Sequence, residues 1–252
     1  MRRHGDEASR HDGWMSEAAS AAATAGFLAL VFVAFTLLAL EPLVGLDAYF
    51  NLEPPRESWV PALQVLDRIG QRAVCLPVLA VVVWACYERG QSWRPVVLAV
   101  GSVFSLNLVV LLLKIGLGRG QPAPADPSFF AGGMAYPSGH TANIVLVYGL
   151  AVYLLGRYFG IRRATRLWLW AVVGCLSLLM VVVSVTLNWH WFADLIAGLL
   201  VGAVVLELTV SVNAAVPRHV FEDGLVSGFA QVRDAVVRRW NGLHRPRSGN
   251  VV

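Results

Sequence analysis

The stretch NWHWFADLIAGLLVGAVVLELTV, residues 188–210, combines two features that decide how this chain folds. From residue 191 it becomes an apolar run that continues to residue 212, the length that an α-helix needs to cross a bilayer, about 20 residues. Its first half places His190 and Asp194 four residues apart, where the apolar run begins. Ionisable groups are costly near hydrocarbon, so this pair indicates a function at the edge of a membrane.

The composition of the whole chain agrees with a membrane protein. Of its 252 residues, 57% are hydrophobic and only 14% are charged, against about 25% charged residues in ordinary soluble domains. Short polar connections separate the apolar runs, which predicts an all-α polytopic bundle of six transmembrane helices. The predicted spans are residues 22–44, 71–87, 95–115, 139–159, 167–187 and 191–212.

The basic residues predict how the bundle is oriented. Six spans place both termini on one side, and 15 of the 20 lysines and arginines fall in segments of that side. By the positive-inside rule both termini are cytoplasmic. We therefore predict a disordered N-terminus over 1–19, a transmembrane domain over 20–212 and a basic amphipathic tail over 213–252. The net positive charge of the chain is explained by this orientation, so no nucleic-acid partner is expected. The frequent use of Ala, Arg, Gly and Val suggests a bacterial protein, and therefore a bacterial plasma membrane.

Cysteine and histidine usage predicts no metal and no cofactor. Cys75, Cys86 and Cys175 all fall inside predicted spans, so no structural disulfide is expected. The chain has no CxxC spacing, and its histidines do not form a ligand cluster.

Two further segments carry candidate anion-binding groups. Lys114 ends the third span and is the only lysine in the chain; snorkelling to the interface is the alternative explanation, although arginine would serve that equally well. Ser138 follows Pro137 and is a natural N-cap of the fourth span, where free N–H groups and the adjacent Gly139 favour a bound anion. His140 then lies beside that anion, although a capping residue with an interfacial histidine would look similar.

His190 and Asp194 share one face of a helix, within reach of each other. A carboxylate that holds one ring nitrogen leaves the other free as a base or nucleophile. An aromatic belt around Trp189 and Trp191 would explain an interfacial histidine but not Asp194. Together with Lys114, the pair predicts phosphoryl transfer through a covalent phosphohistidine, in which one histidine attacks phosphorus and a second protonates the leaving oxygen.

At these residues the chain resembles the type 2 phosphatidic acid phosphatase superfamily of integral-membrane lipid phosphatases. The motifs of that family are Lys-x6-Arg-Pro, Pro-Ser-Gly-His and Ser-Arg-x5-His-x3-Asp. The second motif is intact at residues 137–140, the third keeps His190 and Asp194, and the first keeps Lys114 and Pro122. The resemblance extends over about residues 60–212.

The resemblance implies a role for each matching residue. His190 would be the nucleophile, Asp194 would orient it, and His140 would be the general acid. The phosphate-binding residues that it implies are Lys114, Ser138 and Gly139. The implied reaction is hydrolysis of a lipid phosphomonoester or diphosphate, of the polyprenyl phosphate or phospholipid phosphate class, at the outer membrane face and without a metal. The expected partners are the lipid substrate and the bilayer; the oligomeric state is not predicted.

Two positions depart from the family pattern. Gln121 replaces the arginine of the first motif, and Ser184 replaces the arginine of the third. We predict that Arg119, two residues before Gln121, supplies one of the missing cations. The losses leave open a phosphotransferase or phosphodiester-processing enzyme on the same scaffold, and a non-catalytic lipid-phosphate-binding protein.

Overall fold

The computed structural model describes residues 2–122 and 127–217, and within these ranges the regular structure is entirely helical. Of the tail predicted over 213–252, only residues 213–217 are described. A 3₁₀ turn over Arg68–Gly70 joins two of the helices, and one helix contains a π turn over Ile144–Tyr148. The helices are α1 (Arg2–Leu40), α2 (Val44–Phe50), α3 (Val60–Asp67), α4 (Arg72–Gly90), α5 (Arg94–Leu117), α6 (Gly139–Phe159), α7 (Arg163–Thr186) and α8 (Phe192–Ala215).

Six of these helices are long and apolar enough to cross a membrane, which confirms the predicted all-α bundle. They are α1 and α4 to α8. Large apolar side chains such as Leu30, Trp84 and Phe104 are exposed on the outside of the bundle, as expected where lipid is the solvent. The main core lies inside, among α4, α5, α6 and α8, and includes Leu79 and Leu146.

The N-terminus differs from the prediction, because α1 begins at Arg2 rather than after a disordered segment over 1–19. The run SEAASAAATA is rich in alanine, the strongest helix former, and contains neither glycine nor proline. Ala18 and Ala21 are buried, and their small side chains let α1 lie close to α8. Ser211 of α8 donates a hydrogen bond to the Ala18 carbonyl at 2.9 Å.

The crossing of α6 and α8 brings the starts of both helices together. A Cβ atom at Gly198 would lie 2.2 Å from the Thr141 Oγ1 and 2.3 Å from the Ser138 carbonyl oxygen, so only glycine permits this approach. The Thr141 hydroxyl donates to the Leu195 carbonyl at 3.0 Å, and the Ser138 N–H donates to the Asp194 carbonyl at 2.9 Å. These contacts fix the N-terminus of α6 against that of α8.

The same end of the bundle carries α2, α3 and the loop over 118–137, and we call it the cavity end. The loop folds back on the end of α5, where the Phe130 N–H donates to the Leu117 carbonyl at 2.8 Å and the Gly133 N–H donates to the Gly118 carbonyl at 3.0 Å. Gly118 ends α5 in the left-handed conformation that glycine adopts without strain. The loop therefore forms part of the wall of the cavity described next.

Candidate active site

A cavity of about 650 Å³ opens at the cavity end of the bundle. Its walls come from α4, α5, α6, the 118–137 loop and the connection before α8. Five residues singled out in the sequence line it: Lys114, Gln121, Gly139, His140 and His190. The Lys114 ammonium also donates a hydrogen bond to the Met134 carbonyl, which joins α5 to the loop. The fold thus brings three separate segments of the sequence to one polar cavity.

His190 and Asp194 form the predicted pair. The Nδ1 atom of His190 lies 3.4 Å from Oδ2 of Asp194, and the Asp194 side chain is fully buried whereas that of His190 is 14% exposed. The same carboxylate oxygen accepts the N–H of Trp191 at 2.9 Å. Asp194 therefore caps the start of α8 and orients His190, so that the second ring nitrogen is left for a ligand.

Arg119 was predicted to bind phosphate in the cavity, but the structure buries it behind the cavity wall. Its side chain is fully buried and does not line the cavity. One guanidinium nitrogen donates to Asp194 Oδ1 at 2.7 Å, a second donates to Asp47 Oδ2, and Nε donates to the Pro127 carbonyl at 3.1 Å. All three nitrogens are engaged by protein, so the expectation that Arg119 supplies a cation to a phosphate is corrected. Its contact is with the carboxylate behind His190.

Asp47 completes this buried cluster, although no motif in the sequence contains it. Its Oδ1 accepts the N–H of Ala193 at 2.8 Å, in the first turn of α8. Burial raises the pKa of the Asp47 carboxyl, and the hydrogen bond from Arg119 opposes that rise. The signal in the sequence was a single carboxylate inside the apolar run VGLDAYF, which cannot be buried there without a partner.

The two predicted serines do not reach the cavity. Ser138 stands at the N-cap of α6, but its side chain makes no capping bond, and its buried hydroxyl has no hydrogen-bond partner among the residues that the structure describes. Ser184 is buried in α7, where its hydroxyl lies 3.5 Å from the Met180 sulfur. An arginine at 184 would have to enter the packed interior of this bundle. Gln121, by contrast, presents an amide to the cavity.

Two further charged residues at the site were not found from the sequence. Arg72, the first residue of α4, lines the cavity. Asp67, at the end of α3, is fully buried, and its Oδ2 lies 3.3 Å from Nε2 of His140. Each histidine at the site therefore has its own carboxylate partner. Both new residues come from a part of the chain that contains none of the three motifs.

The fold and site together define a class of protein. The protein is an integral-membrane helical bundle with two histidine–carboxylate pairs and two cationic side chains at one polar cavity. Cations and helix N-termini of this kind bind anions, phosphate among them.

Comparisons with known proteins show which proteins this chain is similar to. Residues 95–217 match the model of the PAP2 superfamily, so the resemblance seen in the motifs is confirmed. The crystal structure of a transmembrane PAP2-type phosphatidylglycerolphosphate phosphatase from Bacillus subtilis has the same fold, with a TM-score of 0.64 at 18% identity, over 77% of this chain and 98% of that one. Phosphatidylglycerophosphatase B of Bacillus subtilis (strain 168) is 21% identical over 165 residues, which are 65% of this chain and 80% of that protein.

The segment that matches the family model contains the motif residues but not the other charged residues of the site. It begins at residue 95, inside α5, and therefore contains Lys114, His140, His190 and Asp194. Asp47, Asp67 and Arg72 precede it. These residues join the site only through the packing of α2, α3 and α4.

Proposed function

We propose that the protein is a lipid phosphate phosphatase that hydrolyses a lipid phosphomonoester through a phosphohistidine formed on His190. The observation that carries the proposal is the pair of His190 and Asp194 in the same cavity as His140 and Lys114. Such an arrangement supplies a nucleophile, an acid and a cation for one phosphate group.

The first step is attack by the free ring nitrogen of His190 on phosphorus. Asp194 holds the other nitrogen, which fixes the tautomer that leaves a lone pair on the attacking atom. A phosphorus–nitrogen bond forms as the bond from phosphorus to the lipid oxygen breaks. The electron pair of that bond goes to the lipid oxygen, which takes a proton from His140 and departs as the alcohol.

The second step regenerates the enzyme. Water attacks phosphorus, His140 accepts a proton from it, and the phosphorus–nitrogen bond breaks to release inorganic phosphate and free His190. Because the acid of the first step is the base of the second, His140 must gain and lose its proton in each turnover. Its side chain is 30% exposed and lines the cavity, which gives water access to it.

Lys114 and Arg72 are the cations that we assign to the phosphate oxygens. Lys114 comes from the first motif, while Arg72 comes from the N-terminus of α4 and lines the same cavity. With Gln121 and Ser184 in place of two arginines, Arg72 keeps a second positive side chain at the site. The N–H groups at the start of α6, beginning with Gly139, add neutral donors.

The substrate that fits this cavity best is a lipid monophosphate presented from the membrane. Two side-chain cations match the charge of a monophosphate more closely than that of a diphosphate, and the cavity lies where α5 and α6 reach the membrane edge. Phosphatidylglycerophosphate is the substrate class named for the related proteins, and phosphatidic acid and polyprenyl phosphates are the other classes to test. We place the cavity on the extracytoplasmic side of a bacterial plasma membrane.

Phosphate release from a panel of lipids tests the proposal. Purified protein in detergent micelles should release inorganic phosphate from phosphatidylglycerophosphate, phosphatidic acid or a polyprenyl monophosphate. His190→Ala should lower the rate on the order of 10⁴-fold or more, because the nucleophile is lost. Activity that survives this substitution would contradict the assignment of His190. Transfer of the phosphoryl group to an alcohol acceptor without release of free phosphate would favour a phosphotransferase instead.

A further inference from the structure

Asp67 is a buried carboxylate that none of the recognised motifs contains. Its Oδ2 lies 3.3 Å from Nε2 of His140 and accepts a hydrogen bond from the Gln71 amide at 3.4 Å. Its other oxygen, Oδ1, is buried without a hydrogen-bond partner among the described residues. A carboxylate held in this way is costly unless a cation stands beside it.

The turn that follows Asp67 is built onto α6. A Cβ atom at Gly70 would lie 3.0 Å from the Cβ of His140, so the turn approaches the histidine as closely as a glycine allows. Asn143 donates to the Gly70 carbonyl at 3.2 Å, and the Tyr148 hydroxyl donates to the Ile69 carbonyl at 3.0 Å. These bonds hold Asp67 and His140 in a fixed relation.

The two histidine–carboxylate pairs differ in the partners that each carboxylate has. Asp194 accepts hydrogen bonds from the Arg119 guanidinium and from the Trp191 N–H. Within the described ranges, the ion-pair partner of Asp67 is His140. Asp194 therefore already has a permanent cation beside it, whereas Asp67 is stabilised most when His140 carries a proton. Different surroundings of this kind allow two like groups to take different roles, here His190 as the nucleophile and His140 as the acid.

We infer that Asp67 is a positioning residue that favours the protonated form of His140, the form that gives its proton to the leaving oxygen. The inference rests on the proposed function and goes beyond it, since it assigns the acid step to a residue outside the matched family segment. In that step the proton moves from His140 to the lipid oxygen as its bond to phosphorus breaks. Asp67 receives no proton; its charge and its hold on one ring nitrogen set the state and orientation of the imidazole.

The dependence of the rate on the leaving group tests this role. The full chain in detergent is assayed on phosphatidic acid, whose leaving oxygen is an alkoxide that needs a proton, and on a nitrophenyl phosphate monoester with a long alkyl chain on its ring, whose phenolate leaves without one. Asp67→Asn should lower kcat on phosphatidic acid by about ten- to hundredfold, but by less than about threefold on the nitrophenyl ester. His140→Asn should show the same selectivity in stronger form.

Asp47→Asn is the matched control, since it changes a second buried carboxylate that acts on the His190 side of the site. It should lower both rates in the same proportion. The ratio of the two rates does not depend on the folded fraction, so partial misfolding cannot imitate the expected result. Asp67→Glu keeps the charge. Its ratio of the rate on phosphatidic acid to the rate on the nitrophenyl ester should therefore be closer to that of the unchanged protein than the ratio of Asp67→Asn is.

Two results would overturn these assignments, and they are distinguishable. If Asp67→Asn lowers both rates equally, Asp67 has only a structural role and the inference is wrong. If the unchanged protein releases phosphate from neither ester and from no lipid of the panel, the proposed function is wrong and the inference falls with it.

Discussion

Arg72 is the residue that we propose compensates for the arginines missing from the motifs. The family pattern expects arginines at positions 121 and 184, and the chain has Gln121 and Ser184 there. In this bundle Ser184 is buried in α7 and does not line the cavity. Arg72 enters the cavity from α4 instead. The cation is therefore retained by the site although it is lost from the motif.

Replacing Arg72 should weaken substrate binding more than it slows the chemical step. A charge-assisted contact to phosphate contributes about 1.5–3 kcal/mol, so Arg72→Gln should raise KM roughly ten- to hundredfold with a smaller change in kcat. Steady-state kinetics on the best lipid of the panel would measure both parameters.

Arg68→Gln is the control for charge alone, because Arg68 is exposed in the 3₁₀ turn and does not line the cavity. It should leave KM close to that of the unchanged protein. Adding Gln121→Arg to Arg72→Gln should restore part of the affinity, since Gln121 lines the same cavity. Equal effects of Arg68→Gln and Arg72→Gln would show that Arg72 does not contact the phosphate.

At the scale of elements, the crossing of α6 and α8 decides the geometry of the site. Gly198 allows the two helices to approach until their backbone and hydroxyl groups touch. The Ser138 N–H donates to the Asp194 carbonyl, so a hydrogen bond joins the N-cap of α6 to the first turn of α8. The same contact places His140 and His190 on one cavity although 50 residues separate them in the sequence.

Gly198→Ala should destabilise the bundle by about 1–3 kcal/mol or more, as expected for overpacking at a tight contact. The added methyl would meet the Thr141 hydroxyl and the Ser138 carbonyl oxygen at 2.2 and 2.3 Å. Thermal unfolding in detergent should show a lower Tm, together with reduced activity. Gly174→Ala is the matched control in α7, because a Cβ there would meet nothing within 4 Å, and it should leave Tm unchanged or slightly raised. Equal Tm values for the two variants would show that the close approach is not needed.

At the scale of the whole molecule, the distribution of arginine predicts which end faces the cytoplasm. The cavity end carries α2, α3 and the 118–137 loop, and only five of the twenty basic residues lie on that side of the chain. The positive-inside rule then places the cavity outside the cytoplasm, where a lipid of the outer leaflet would present its phosphate.

Labelling from outside the cell tests this orientation. A cysteine introduced at the exposed Glu53, in the connection between α2 and α3, should react with a membrane-impermeant thiol reagent in intact cells. A cysteine at the exposed Glu88, near the opposite end of α4, should react only after permeabilisation. The native thiols give the background: Cys75 and Cys86 are buried, and Cys175 lies within the span of α7. The reverse pattern would invert the topology.

The sequence by itself determined that the chain lies in a membrane, that its fold is all-helical, and that His190 and Asp194 form a pair. Apolar runs near the bilayer length can fold only as spanning helices in lipid. The expected pair of His190 and Asp194 forms, but not on one helix face: α8 begins at Phe192, so His190 precedes it, and Asp194 reaches back over the helix N-terminus to the Trp191 N–H and to the His190 ring. Run length and short spacings depend only on residues that are neighbours in the sequence, so distant contacts do not alter them. Lys114, Gly139 and His140 were found by the same reasoning, and all line the cavity.

Only the tertiary structure decided which other charges belong to the site. Arg119 lies in the loop beside the cavity but turns inward to Asp194 and Asp47, because two buried carboxylates need its cation more than a solvated cavity does. Arg72 and Asp67 reach the cavity through the packing of α3 and α4, which no spacing in the sequence encodes. Pairing between distant charges depends on burial, and burial is fixed only when the helices have assembled.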